Sequence, residues 1–188
     1  MKINLFLSLF IVLFLSCNQP QRLFNENSKD WITKGNANWT FSNNELIGIV
    51  DDGAGFVITN QSYKDFSLEL EFQPDSTINS GVFIRCKNQD INPTDCYELN
   101  IWDLHPDQTN RTGAIVTRKE PLAIVSTIDK WNTYRIKVEK NEIKVWINDT
   151  LTVNTKDEKL SDGYIGLQAK GTGKVRFRNV KLKNLTID

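Results

Sequence analysis

Residues 79–105 read NSGVFIRCKNQDINPTDCYELNIWDLH, and this stretch decides the fold. Two apolar runs, 82–86 and 96–103, flank a polar loop that carries Pro93. In the second run Tyr97, Leu99 and Ile101 alternate with Glu98, Asn100 and Trp102. A period of two is that of a half-buried strand, because successive side chains point to opposite faces. One face is therefore core. The other offers a carboxylate, an amide and an indole, a set that suits a sugar-facing cleft and equally an ordinary solvated sheet face.

Working outward, the same period recurs. Phe66, Leu68, Leu70 and Phe72 alternate with Ser67, Glu69 and Glu71. Residues 39–41 and 45–50 flank Asn43-Asn44, residues that tolerate positive φ, and so predict a hairpin. A turn at 51–55 leads to a strand at 56–59. Residues 131–139 and 142–148 predict a second hairpin turning at Lys140-Asn141, with Tyr134, Ile136 and Val138 inward. Segments 113–118, 151–154, 163–169 and 174–185 add further strands. In the last, the apolar parity slips between Val175/Phe177 and Val180/Leu182, which is how a bulge at Arg178-Asn179 shows in sequence. No segment holds a helical period. The pattern predicts an all-β jelly-roll sandwich of two antiparallel sheets.

The N-terminus carries Lys2 and then an apolar run from Ile3 to Leu15, too short to span a bilayer and placed where an export signal sits. Ser16-Cys17 makes it resemble a bacterial lipoprotein signal peptide (1–16) with Cys17 acylated, a tether at 17–22 and a domain at 23–188. Phe14 departs from the commonest pattern of such signals. Lipid on Cys17 would tether the domain to the cell envelope. Residues 18–21 lack an acidic run, so the expected place is the outer membrane, on its periplasmic side ahead of the cell surface.

Lysine plus arginine number 23, as do aspartate plus glutamate. This balance, without a basic patch, excludes nucleic acid as a partner. The length fits one core rather than two. Beyond Cys17 only Cys86 and Cys96 remain, and export to an oxidising compartment predicts a disulfide between them.

Six phrases carry a family resemblance: NSGVFIR (79–85), CYELNIWD (96–103), RTGAIV (111–116), WNTYRIKV (131–138), DGYIGLQ (162–168) and VRFRNVKL (175–182). In that order they resemble the 3-keto-disaccharide hydrolase domain of bacterial secreted proteins. The resemblance implies a concanavalin-like jelly roll with a carbohydrate cleft on its concave face. It also implies a hydrolase acting on glycosides already oxidised at C3. A C3 ketone acidifies the C2 hydrogen, so a base can remove it, the C1 group can leave by elimination, and water can add afterwards. The rival reading is a carbohydrate-binding module of the same fold without turnover; a third is a structural sandwich of the envelope.

Glu98 is the first candidate for the base, against the plainer reading of a solvated strand glutamate. Arg85 would stabilise an enolate, or else form an ion pair with Glu69 or Glu71. Asp103 and His105 follow the strand end, Asp103 as a catalytic helper of Glu98 and His105 as a substrate-binding residue, and together with Glu98 they would also suit a divalent cation. Asn100 stands where the family usually has glutamine and would bond sugar hydroxyls. Trp102 would stack on a sugar or pack the sheet edge, and Gln168 matches the family's Leu-Gln phrase as a substrate-binding residue. Trp131, Tyr134 and Trp146 are assigned to packing. Relatives often carry an acid and a histidine after that phrase, where this chain has Ala169-Lys170, a departure that counts against catalysis. Arg85 and Glu98 share a cleft only if a bulge or a diagonal disulfide changes the register; the expectation is that they do.

Overall fold

The computed structural model describes residues 19–26 and 31–185. The expected signal peptide and the expected lipidation at Cys17 fall outside the described residues.

Among the described residues thirteen strands run in chain order, as β1 (Gln21–Arg22), β2 (Trp31–Gly35), β3 (Asn38–Ser42), β4 (Glu45–Val50), β5 (Ala54–Thr59) and β6 (Phe66–Pro74). There follow β7 (Ile78–Cys86), β8 (Tyr97–Ile101), β9 (Asn132–Glu139), β10 (Glu142–Ile147), β11 (Thr150–Lys156), β12 (Tyr164–Gly171) and β13 (Gly173–Asn184). All pairings are antiparallel. Sheet A has the order β11-β10-β9-β6-β13-β4-β3, with β1 added along β13; sheet B has the order β2-β5-β12-β7-β8.

Alternation along each strand makes the two layers. Phe66, Leu68, Leu70 and Phe72 of β6, and Tyr134, Ile136 and Val138 of β9, are fully buried against Val82, Ile84, Leu99 and Leu167 of sheet B in one continuous core. Each such aliphatic or aromatic side chain contributes roughly 1.5–3 kcal/mol through burial. The result is a jelly-roll β-sandwich.

Local chemistry explains the corners. Asn43 and Asn44 hold φ of 52° and 62°, which a two-residue hairpin turn of the right hand requires and which asparagine tolerates. The register of β13 against β6 shifts between Arg178 and Lys181, with Asn179 at φ 53°, so the parity slip in the sequence is a bulge. Cys86 and Cys96 are joined as a disulfide with Cα atoms 4.2 Å apart.

Two readings are corrected. Residues 113–118 do not form a regular strand. Instead the Asn100 and Gly113 amides donate to Ala114 and Asn100 carbonyls at 3.0 Å, and Val116 N–H donates to Glu98 O at 2.9 Å. This segment thus covers the open edge of β8, whose unpaired backbone would otherwise be exposed. The domain also begins earlier than Leu23, since Gln21 and Arg22 already pair with Leu182 and Lys181.

Candidate functional site

Register places the candidate residues on the outer face of sheet B. Glu98 pairs with Phe83 and Asn100 with Gly81 across β7–β8. Gln168 pairs with Gly81 and Lys170 with Asn79 across β7–β12. Side chains two apart on a strand share a face, and directly paired residues share it too. Asn79, Gly81, Phe83, Glu98, Asn100, Gln168 and Lys170 therefore lie on one surface.

The floor of this surface is apolar. Phe83 packs with the Cys86–Cys96 disulfide, Phe56, Ile91 and Tyr164 in a small cluster separate from the main core. The loop closed by the disulfide folds over the sheet, and Ile91 occupies the space that a side chain at Gly166 would fill. An ion pair between Lys34 and Asp90 holds that loop down. On the other side, the Asn100 amide donates to Asn110 O and its Oδ1 accepts from Ile101 N–H (3.0 Å). Asn100 thus fastens the loop after β8, and both ends of its amide are engaged.

Glu98 lies between these walls and is only 8% exposed. Its carboxyl accepts no hydrogen bond among the described residues. Burial in this setting disfavours the charged form and raises its pKa to about 7, while the positive charge of Lys170 works in the opposite direction. A carboxyl poised near neutrality can take a proton and return it, which is what a general base or acid needs. Glu98 leans towards Gly81, because its Cγ would lie 3.5 Å from a Cβ added there. Close by, Gln168 Oε1 and Asn79 Oδ1 are buried without a hydrogen-bond partner among the described residues.

The other expected site residues are not brought to Glu98. Arg85 occupies a bulge, with φ 51° and a register shift between β7 and β12, but the bulge turns it away from Glu98. Its guanidinium, 1% exposed, donates to Lys64 O (2.8 and 3.1 Å), Leu160 O (3.0 Å) and Asp65 Oδ1 (3.1 Å) at one end of the sandwich. The partner is Asp65, not Glu69 or Glu71, and the shared cleft of Arg85 and Glu98 does not exist.

Asp103 is buried and accepts from Thr127 N–H (2.6 Å) and Thr127 Oγ1–H (2.8 Å), so its carboxylate ties down the connection to β9. His105 Nδ1 accepts from Asp107 N–H (3.0 Å), and its ring stands edge-on to Trp102 with centroids 4.6 Å apart. Glu98, Asp103 and His105 do not converge, and no three His, Cys, Asp or Glu side chains among the described residues could hold a metal ion together. The metal expectation from these three residues is corrected accordingly. Trp102 continues the parity of Glu98 and Asn100 one residue beyond β8, packed on His105 at the rim.

Two members of the surface escaped the sequence reading. Lys170 was noted as a departure, yet it brings a cation to the face of Glu98 and forms no ion pair among the described residues. Ala169, beside it, points into the core. Gly81 was read only as part of the 79–85 phrase, but its missing side chain leaves the space beside which Glu98 lies.

Trp131, Tyr134 and Trp146 pack. Tyr134 is fully buried, Arg178 lies 3.9 Å from the Trp131 ring centre, and Arg135 lies 4.9 Å from that of Trp146, both on the outside of sheet A.

Among solved structures, the chain is similar to a candidate glycosyl hydrolase from Parabacteroides distasonis, at 24% identity and a TM-score of 0.77, over 89% of this chain and all of that one. It is similar to the carbohydrate-binding module CBM66 from Bacillus subtilis at 20% identity and a TM-score of 0.66, over 84% and 98% of the two chains. A Bacillus licheniformis β-glucanase aligns at 16% identity and a TM-score of 0.58, over 89% and 97%. These likenesses establish the fold. No curated protein matches the sequence. The sequence profile of the 3-keto-alpha-glucoside-1,2-lyase-like domain matches residues 19–183, nearly the whole described chain, and the protein belongs to that family of 3-keto-disaccharide hydrolase domains.

Proposed function

We propose that the protein cleaves 3-keto-glycosides at the anomeric carbon, with Glu98 as the base. The observation that supports this is a buried carboxyl near neutrality, without a hydrogen-bond partner among the described residues, on the outer face of sheet B. Glu98 takes the C2 proton, and the electron pair of the C2–H bond is delocalised into the C3 ketone as an enolate. Collapse of the enolate forms the C1=C2 double bond and breaks the C1–O bond, and the departing oxygen takes up a proton. Water then adds across that double bond, hydroxyl to C1 and hydrogen to C2, which makes the net reaction a hydrolysis. Lys170 supplies positive charge on the same face, where negative charge develops on the enolate oxygen. One carboxyl suffices for such a sequence, unlike the paired carboxylates of common glycosidases.

The test is release of the aglycone from a 3-keto-aryl-glucoside by the full-length protein, beside the same glucoside with an unoxidised C3. Turnover of the keto form alone is expected. Saturable binding of the sugars with no turnover of either would instead make the domain a carbohydrate-binding module, the reading that its likeness in fold to CBM66 suggests.

The proposal includes the setting. Ser16-Cys17 following the apolar run supports an exported lipoprotein held to the cell envelope through Cys17. Metabolic labelling with an alkyne fatty acid is expected to tag the wild-type protein and not Cys17→Ser. Equal labelling of both would remove the anchor.

A further inference from the structure

Gly81 is unusual among the glycines of the chain because its φ does not demand glycine and an added Cβ would meet no atom closer than 3.3 Å. Its φ is not in the left-handed region, where Gly35, Gly53, Gly113, Gly163, Gly171 and Gly173 lie. A Cβ at Gly81 would meet Glu98 Cγ and Phe83 Cε2 at an ordinary 3.5 Å and Leu99 O at a tight 3.3 Å, so that carbonyl would have to give by a few tenths of an ångström. At Gly55 and Gly166, by contrast, an added Cβ would come within 2.5 Å and 2.2 Å of neighbouring atoms. Glycine in mid-strand weakens the sheet by leaving its place unpacked, and it often marks a site where another molecule approaches the backbone. The gap is the feature to explain.

Its surroundings are chemically biased. Gln168 is the direct cross-strand partner of Gly81, is 4% exposed, and keeps Oε1 buried and unpaired. Asn79, two residues back on the same face and diagonal to Gln168, keeps Oδ1 buried and unpaired as well. A buried acceptor without a donor loses its hydration and gains nothing in return, so two such acceptors side by side call for a partner. Both gaps close if a bound molecule brings O–H groups.

We infer that the Gly81 notch, bounded by Asn79, Gln168 and Glu98, is a subsite that seats the hydroxyl-bearing edge of a sugar ring. This rests on the proposed reading of Glu98 and extends it to how the substrate is oriented. Two carbonyl oxygens lining the notch accept protons that hydroxyls carry and a ketone lacks, so hydroxyls rather than the C3 ketone sit against them. The ketone oxygen is turned instead towards Lys170, the cation on that face, and this orientation sets the C2 hydrogen before Glu98. The notch thus reads where the substrate is not oxidised.

The experiment is a binding titration of the full-length protein with 1,5-anhydro-3-keto-glucitol. This probe keeps the ring, the hydroxyls and the ketone but has no group to eliminate at C1. Gln168→Met and Asn79→Leu are each expected to weaken binding about tenfold, as loss of one hydrogen bond to a buried group does. Gly81→Ala is expected to weaken it at least as much, by filling the space the ring edge would enter. A monodeoxy probe that binds the wild type about tenfold less well should bind Gln168→Met or Asn79→Leu with no further loss, the signature of a shared contact. Wild-type affinity in all three variants would overturn the subsite, as would failure of the wild type to bind the probe. Retained binding with no turnover of the aryl glucoside would overturn the enzymatic reading and leave the notch in place.

Discussion

Glu98→Gln is expected to lower kcat/KM on a 3-keto-aryl-glucoside by about 10²–10⁴-fold, the range that a positioned general base contributes. The wild-type profile should rise with pH and level off above an apparent pKa of about 7, since only the ionised carboxyl accepts the C2 proton. A profile flat between pH 5 and 8, with Glu98→Gln as active as the wild type, would remove Glu98 from the chemistry.

The same carboxyl makes a second, independent mark on stability. Its pKa is raised from 4.5 to about 7 on folding, so between those values the folded state binds more protons than the unfolded chain. Stability therefore falls as pH rises through this window, by about 3 kcal/mol for a shift of that size. Glu98→Gln carries no such titration. Its stability relative to the wild type should increase from pH 5 to pH 8 in urea unfolding, whatever its constant offset. A constant difference across that range would mean that the burial of Glu98 does not perturb its proton.

Arg85→Met is expected to destabilise the domain by about 3–5 kcal/mol, the cost of breaking a buried ion pair by removing one partner. The substitution would strip donors from Lys64 O and Leu160 O and leave Asp65 beside apolar surface. Asp65 Oδ1 also accepts from Lys140 N–H at 2.8 Å, so the loss reaches the β9–β10 turn. Arg85→Lys should recover only part of the stability, because a single ammonium cannot reproduce the planar fork that serves three acceptors. Turnover per folded molecule should stay near that of the wild type. A selective loss of kcat in a variant as stable as the wild type would instead return Arg85 to the chemistry.

Arg85 shows where sequence reading stops. Parity along β8 was legible, and it placed Glu98 and Asn100 on a face distinct from the core, whereas Gln168 was legible only through its match to the family phrase. The Asn43-Asn44 turn and the slip at Arg178 were legible for the same reason, since each is written in a few consecutive residues. A bulge at Arg85 leaves no such trace, because an arginine at φ 51° is held there by acceptors from residues 64, 65 and 160. Asp103 and His105 were misassigned through their types alone. Carboxylate and imidazole are ligand chemistry, but Thr127 and the Asp107 amide engage them first. Lys170 and Gly81 were overlooked because their meaning depends on register across three strands, which the order of residues along the chain does not display.

The short pairing of Gln21 and Arg22 with β13 bears on how the domain is presented. It fixes the point of departure of the preceding chain on sheet A, while Glu98, Gln168 and Lys170 look out from sheet B on the opposite layer. Anything that holds the protein by residues before Gln21 therefore pulls on sheet A, the layer that does not carry Glu98. A leash attached there can be short without drawing the working surface against whatever it is fastened to, and bulky glycans can approach from the free side.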